Sequence, residues 1–400
     1  MEELENKYIS NTKKIIDYTY LILIFCITYL TIRMNVSDYW PHLGWLPLKK
    51  DFLHPFSYFA NNAEPLWHFC TKILSKSCKI PVKYAGAVVC GICNLITYKI
   101  LVFFFKNYSE KYATLIAFVC MILGPLYVPW FSKNIYLGQG TPNVWHNPTT
   151  LIVRPFAILI TIKSIEIMKA PFPFSDYKNR IKDMLILSIL ILFSTFAKPS
   201  FIQIYFPSIF VFCVVKTISS KGKFFPNSVY LLICCLLAFF VLLIQFYLLF
   251  INNTSIENSE PAISLKFLYV MKLNSKNPFV SQFFVIAFPI TILISKIIFK
   301  INFSNLYRFS WIMYVFAFLE ASLFVENSRA GHGNFTWSLV LSYNFLFIVA
   351  FIDYLSMLNS FYKNNRIKIL CLDISSLILC CHVFIGIIYI YQIIFLGSYY

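Results

Sequence analysis

Eleven apolar stretches dominate this chain and leave few folds open to it. Their approximate limits are 15–33, 84–105, 113–131, 148–168, 183–197, 201–215, 228–251, 279–299, 309–326, 336–358 and 369–396. A helix crosses a bilayer with roughly 17–25 mostly apolar residues. Charged residues make up only 13% of the 400, against 59% hydrophobic, whereas a soluble chain carries about a quarter charged residues. A soluble enzyme, a disordered chain and a disulfide-stapled secreted module are therefore excluded. A transmembrane barrel fits poorly, because its strands alternate polar and apolar positions. The expected fold class is an all-α polytopic membrane protein of about eleven transmembrane helices, with residues 1–400 forming one transmembrane domain.

Lys and Arg number 34 against 17 Asp and Glu, a net charge of +17. In a membrane chain such an excess collects in loops that stay on the cytoplasmic side, so no nucleic-acid partner is expected. The fifth and sixth blocks are short. At ~1.5 Å per residue each reaches only about 22 Å, and Lys198-Pro199-Ser200 separates them. Read as a hairpin, they place Lys216, Lys221, Lys223, Lys296, Lys300, Arg308, Lys363, Arg366 and Lys368 in cytoplasmic loops. Read as one kinked span, they place only Lys266, Lys272, Lys276 and Arg329 there. The hairpin is the expectation, with a cytoplasmic N-terminus, an external C-terminus, and Lys198 at an external tip sunk below the membrane surface. The first block is expected to be retained, since no small-residue cleavage site follows it. The Phe-, Tyr-, Lys- and Asn-rich composition suits an AT-rich microbe and hence a plasma (inner) membrane. No internal repeat and no glycine-rich phosphate loop is evident.

The first external loop, residues 34–83, is the longest segment outside the blocks. From Glu64 its apolar residues fall at Leu66, Phe69, Cys70, Ile73 and Leu74, a helical spacing. Glu64, His68, Lys72 and Lys76 form a polar stripe at intervals of four. The pattern predicts an amphipathic helix lying in the interface, though a helix packed on protein would give the same stripe. Asp38 follows the outer end of the first block, beside Tyr39, Trp40 and His42. An acid there could perform proton chemistry on a lipid-linked substrate. Trp40, Trp67 and Trp145 could stack on sugars, or simply anchor the interface.

The second external loop brings His146 and Asn147 to the start of a helix, where free N–H groups favour an anion. Arg154 lies about two turns into that helix and needs a partner or an anionic ligand. Glu320 lies inside the ninth block, and Arg329 and His332 follow it, beside Gly331 and Gly333. Loop 252–278 reads as an ordinary solvated loop. Cys90 and Cys93 form a C-x-x-C, but inside an apolar block and without a second pair. No metal cluster is evident from spacing, so no cofactor is predicted; a divalent metal stays possible. One face of the membrane thus collects Asp38, Glu64, His68, His146, Arg154, Lys198, Arg329 and His332, a set suited to a lipid-linked phosphate.

With Asp38 in NVSDYWPH and Glu64-Pro65-Leu66-Trp67-His68 as a P-L-x-H-like start to a loop helix, the chain resembles the GT-C superfamily of membrane glycosyltransferases. The short blocks broken at Lys198-Pro199 resemble the shortened helices that open a lipid-phosphate cavity in that fold. The resemblance implies membrane-parallel helices in the first external loop. It also implies inverting transfer of a monosaccharide from a polyprenyl-phosphate donor to a lipid-linked or cell-surface glycan acceptor. Asp38 would be the catalytic base. Glu64, His68, His146, Asn147, Arg154, Lys198, Glu320, Arg329 and His332 would bind substrate. Partners would be the lipid-linked sugar, the glycan acceptor and membrane lipid. An O-antigen or capsule repeat-unit polymerase and a lipid-linked glycan flippase or transporter stay open as alternatives.

Overall fold

The structure, a computed structural model, describes residues 2–132, 135, 140–248, 263–361 and 366–397; the side chains of 2–13, 36–38, 328, 329, 332 and 361 lie outside that description. From the N-terminus, α1 (Glu2–Met34) leads into four short helices, α2 (Val36–Leu43), α3 (Lys49–Leu53), α4 (Pro55–Ala60) and α5 (Pro65–Cys78). Next come α6 (Val82–Lys106), α7 (Ala113–Ile122) and α8 (Pro148–Ile167). Then follow α9 (Ile181–Ala197), α10 (Pro199–Ser219) and α11 (Phe225–Phe246). Strand β1 (Ile263–Leu265) and α12 (Tyr269–Asn274) precede α13 (Pro278–Val285), α14 (Ala287–Ile298) and α15 (Asn305–Leu323). The chain closes with β2 (Phe324–Glu326), α16 (Trp337–Phe361) and α17 (Arg366–Tyr391).

Six helical segments are long and apolar enough to cross a membrane: Lys14–Met34, Val82–Lys106, Pro199–Ser219, Phe225–Phe246, Asn334–Ser360 and Arg366–Leu396. A seventh arises if α13 and α14, bent by 75° at Ile286, count as one span. The protein is thus an all-α multi-pass membrane protein. Helix α16 is its axis: Tyr343, Leu346, Phe347, Ile348, Val349 and Ala350 cover every side of it and all are buried. A helix apolar all round is stable only inside such a bundle.

Hydrogen bonds fix the course of α9 and α10. The Tyr230 hydroxyl donates to the Arg180 carbonyl at 3.0 Å, and the Thr217 and Ser228 hydroxyls meet at 2.9 Å. The start of α9 and the end of α10 therefore both lie at the start of α11. The two helices are antiparallel arms, as the charge pattern predicts, with Lys198 at the tip in extended backbone (φ −165°, ψ 113°). Pro199 opens α10, where its missing N–H costs nothing.

Helix α7 is shorter than its apolar block. The block extends to 131, but the helix stops at Ile122, because Gly124-Pro125 cannot continue it. The Gly124 N–H donates instead to His382 O at 2.9 Å, and His382 Nδ1–H donates to Gly124 O at 2.7 Å. This places α17 directly against the end of α7. A Cβ on Gly386 would lie 1.7 Å from the Ile122 carbonyl oxygen, so only glycine fits.

Two further readings change. The ninth block ends as helix at Leu323, and 324–326 form β2, paired antiparallel with β1 (Ile263↔Glu326, Leu265↔Phe324). The solvated-loop reading of 252–278 gives way where the chain is described: β1 and α12 are ordered structure, and Val270 and Met271 are buried. Residues 251–262 lie outside the described residues.

Candidate functional site at the Lys198 tip

Helix α5 does form, but it packs on protein. Pro65, Leu66, Trp67, His68 and Thr71 are buried while Ile73 is exposed. The polar stripe predicted to face water turns inward at Glu64 and His68. Trp67 sets this rotation: its Nε1–H donates to Cys90 Sγ on α6 at 3.2 Å, and Tyr39 of α2 meets it edge-on at 5.9 Å. The indole has a polar handle as well as a large apolar face, and both are satisfied only on that side. Cys90 serves here as an acceptor within the core.

The turn brings Glu64 to Lys198, 134 residues away in sequence. Lys198 Nζ donates to Glu64 Oε1 at 2.5 Å and to Thr149 Oγ1 at 2.9 Å. It also sits 5.0 Å above the Trp337 ring. The Lys198 side chain is 2% exposed and that of Glu64 21%. Removing a lone ammonium this far from water is costly, and the carboxylate together with the hydroxyl offsets it. Burial, the largest influence, would raise the Glu64 carboxyl, but the Lys198 charge together with the neighbouring groups and hydrogen bonds holds it below the usual carboxylate range.

Two imidazoles and two indoles wall this pair. The His42 and His68 rings lie 5.5 Å apart, with Trp45 within 6.0 Å of each. His68 Nδ1–H donates to the Glu64 carbonyl oxygen one turn back, at 2.7 Å. Burial pushes His42 down to about 4, and burial likewise lowers His68. Both rings are therefore neutral near pH 7. They can exchange hydrogen bonds with hydroxyls, but they do not add to the cationic set expected from the sequence.

The remaining loop 34–83 is tied down around this cluster. Tyr58 OH donates to Trp45 O at 2.9 Å, and Phe59 meets Phe196 of α9 edge-on at 4.8 Å. Gln245 of α11 donates to the carbonyls of Phe59 and Asn62 at 3.0 and 3.1 Å.

The other predicted residues fall into distinct places. Asn147 is the N-cap of α8: its Oδ1 accepts from Thr150 N, Thr149 Oγ1 and Thr150 Oγ1, each at 2.9 Å. By engaging the Thr149 hydroxyl proton, it turns an oxygen lone pair towards Lys198. Asn147 thus supports the site from the cap of α8.

Arg154 is 1% exposed and has no carboxylate partner among the described residues. It donates to Val144 O at 3.1 Å and to Asn94 Oδ1 at 3.5 Å. It also borders a cavity of about 10 Å³, the space of one water. Its described work is to satisfy the irregular backbone before α8. Asn143 does the same for the end of α7, donating to the carbonyls of Cys120 and Leu123.

His146 is fully buried, with Nδ1 2.5 Å from the Tyr389 hydroxyl, and its ring lies 6.0 Å from that of Trp337. It therefore borders the cluster from the α17 side. Glu320 meets neither Arg154 nor Lys198; one carboxyl oxygen is shut off from solvent without a hydrogen-bond partner. Asp38 belongs to α2, one turn before His42, but its side chain lies outside the described residues, as do those of Arg329 and His332.

Thr149, Trp337 and Tyr389 were not singled out in the sequence. Each is an ordinary helix residue there, and only its long-range contacts mark it. Among the described residues, no three His, Cys, Asp or Glu side chains converge as metal ligands do. Comparison of the sequence with protein-family models and with curated proteins gives no match.

Proposed function

We propose that this protein is a membrane glycosyltransferase of GT-C type. It would move a monosaccharide from a polyprenyl-phosphate donor to a lipid-linked or cell-surface glycan acceptor, with inversion. The observation that carries this reading is the buried Lys198 at the tip of the broken α9–α10 hairpin, held under the loop helix that contributes Glu64. An ammonium has three N–H donors. Glu64 and Thr149 take two, and the third is proposed to reach a phosphate oxygen.

In this reading the acceptor hydroxyl attacks the anomeric carbon, Asp38 takes its proton, and the bond from that carbon to the phosphate oxygen breaks. Polyprenyl phosphate leaves, its growing charge met by Lys198 and by Arg329. The neutral imidazoles of His42, His68 and His146 suit sugar hydroxyls. Glu320 and His332 are proposed to contact the acceptor side. Arg154 is left to bracing the fold.

The same reading takes eleven segments as crossing the bilayer: α1, α6, α7 with the extended chain after it, α8, α9, α10, α11, the α13–α14 pair, α15, α16 and α17. The basic loops after α8, α10, α14 and α16 then face the cytoplasm. Lys198 and the C-terminus face outward from the plasma membrane. The test is transfer of sugar from a synthetic polyprenyl-phosphate donor by purified protein in vesicles without an ion gradient. Wild type is expected to transfer and Asp38→Asn to lose transfer by at least 100-fold while inserting normally. Near-normal turnover by the variant removes Asp38 from the chemistry, and transport without transfer favours a flippase.

A further inference from the structure

We propose that a groove between α7, α16 and α17 is a binding site for an anionic phospholipid of the surrounding bilayer, with its phosphate at Lys111 and Tyr112 and one hydrocarbon chain between the helices. The groove encloses about 510 Å³, within the ~300–1,000 Å³ usual for ligand sites. Leu115 and Ile116 of α7, Phe351 of α16, and Leu379, Phe384 and Ile387 of α17 line it. It is distinct from the Lys198 cluster and does not rest on the glycosyltransferase reading.

Its origin is the short α7. Helices α7 and α17 touch where Gly386 meets the Ile122 carbonyl, a contact no other residue type permits. The groove runs from beside that crossing to Tyr112 at the other end of α7. Leu115, Phe384 and Ile387 remain 45%, 63% and 52% exposed, so it opens sideways from the bundle.

Water is a poor occupant, because almost nothing in the lining can hydrogen-bond to it. At bilayer depth the available filler is a hydrocarbon chain. The rim supplies the polarity. Tyr112 closes one end, and Lys111 Nζ stands 5.0 Å over its ring. An aromatic with a polar tip beside an exposed ammonium suits the headgroup level, where the ammonium favours a phosphate carrying net negative charge. Chain and head are thus matched by α7 and the turn that leads into it.

The test places the full chain in vesicles of phosphatidylcholine alone or mixed with phosphatidylglycerol. Each preparation carries a tracer phospholipid of the same headgroup with a diazirine in its acyl chain. After photolysis the labelled peptides are mapped by mass spectrometry. Label is expected on 113–122 and 379–387 several-fold above that on α11, whose exposed Phe240 and Ile244 report ordinary lipid contact. Phosphatidylglycerol is expected to label more than phosphatidylcholine, and Lys111→Glu to remove that excess.

Leu115→Trp and Ile387→Trp fill the groove from its exposed side without entering the core, and each is expected to cut label on the opposite helix several-fold. Label spread evenly over α11 and α17 would mean surface lipid alone and overturn the site. Equal labelling by the two lipids would overturn the anionic head. Protein–protein adducts across α7 and α17 in place of lipid adducts would assign the groove to a second copy of the chain.

Discussion

Replacing Lys198 with Met tests the centre of the site directly. Met keeps the length of the side chain and most of its volume but removes the charge. Glu64 then loses its 2.5 Å donor, and Thr149 loses its contact at 2.9 Å. Breaking a buried ion pair from one side costs about 3–5 kcal/mol. Glu64 is 21% exposed and can draw on solvent, so the lower half of that range applies, about 3 kcal/mol. The double variant Lys198→Met, Glu64→Gln leaves no stranded charge, and replacing a whole buried pair is often neutral or stabilising. The double variant is therefore expected to regain most of the loss. Both are measured by thermal or denaturant unfolding of the protein in one detergent, as a double-mutant cycle with Glu64→Gln. A coupling near zero, with Lys198→Met no less stable than wild type, would refute the pairing and with it the packing of α5 against the hairpin tip. Transfer activity should separate the two effects: the double variant, stable but without its ammonium, is still expected to lose donor binding.

Acidification from pH 6.5 towards 4 should destabilise the protein through His42. The unfolded ring takes up a proton near 6.5 while the folded one resists until about 4, so stability rises with pH in that window, by up to ~3 kcal/mol. Glu64 adds to the same trend at lower pH: its depressed carboxyl contributes stability above the unfolded value near 4.3, lost as pH falls through the folded one. His42→Gln should flatten the upper part of an unfolding profile against pH; an unchanged profile would mean that His42 is solvated. Gly386→Ala should destabilise by at least the ~1–3 kcal/mol of an overpacked core, because the new methyl would lie 1.7 Å from a carbonyl oxygen; an unaltered melting temperature would show that α7 and α17 do not cross there. Cysteines placed at the exposed Lys79 and Lys221 should react with impermeant maleimide from opposite sides of the membrane, Lys79→Cys from outside; labelling from the same side would overturn the topology.

The sequence by itself determined the class of protein, an all-α multi-pass membrane chain, and the hairpin at Lys198-Pro199. These follow from local rules: apolar run length and the missing N–H of proline. Where a local rule competed with a contact, the contact prevailed. The apolar block after Ala113 satisfies the length criterion, yet the helix ends at Ile122 ahead of Gly124-Pro125, and the freed Gly124 peptide finds its partners on the distant His382. The polar stripe from Glu64 satisfies the amphipathic pattern, yet its first half turns inward because Trp67 has a better seat against Cys90 and Tyr39. The pairing of Glu64 with Lys198, the support from Thr149 and the ring of Trp337 beneath the ammonium were decided by tertiary structure alone. Helical periodicity says which residues share a face, but the partner of a buried charge depends on which distant helix packs against that face.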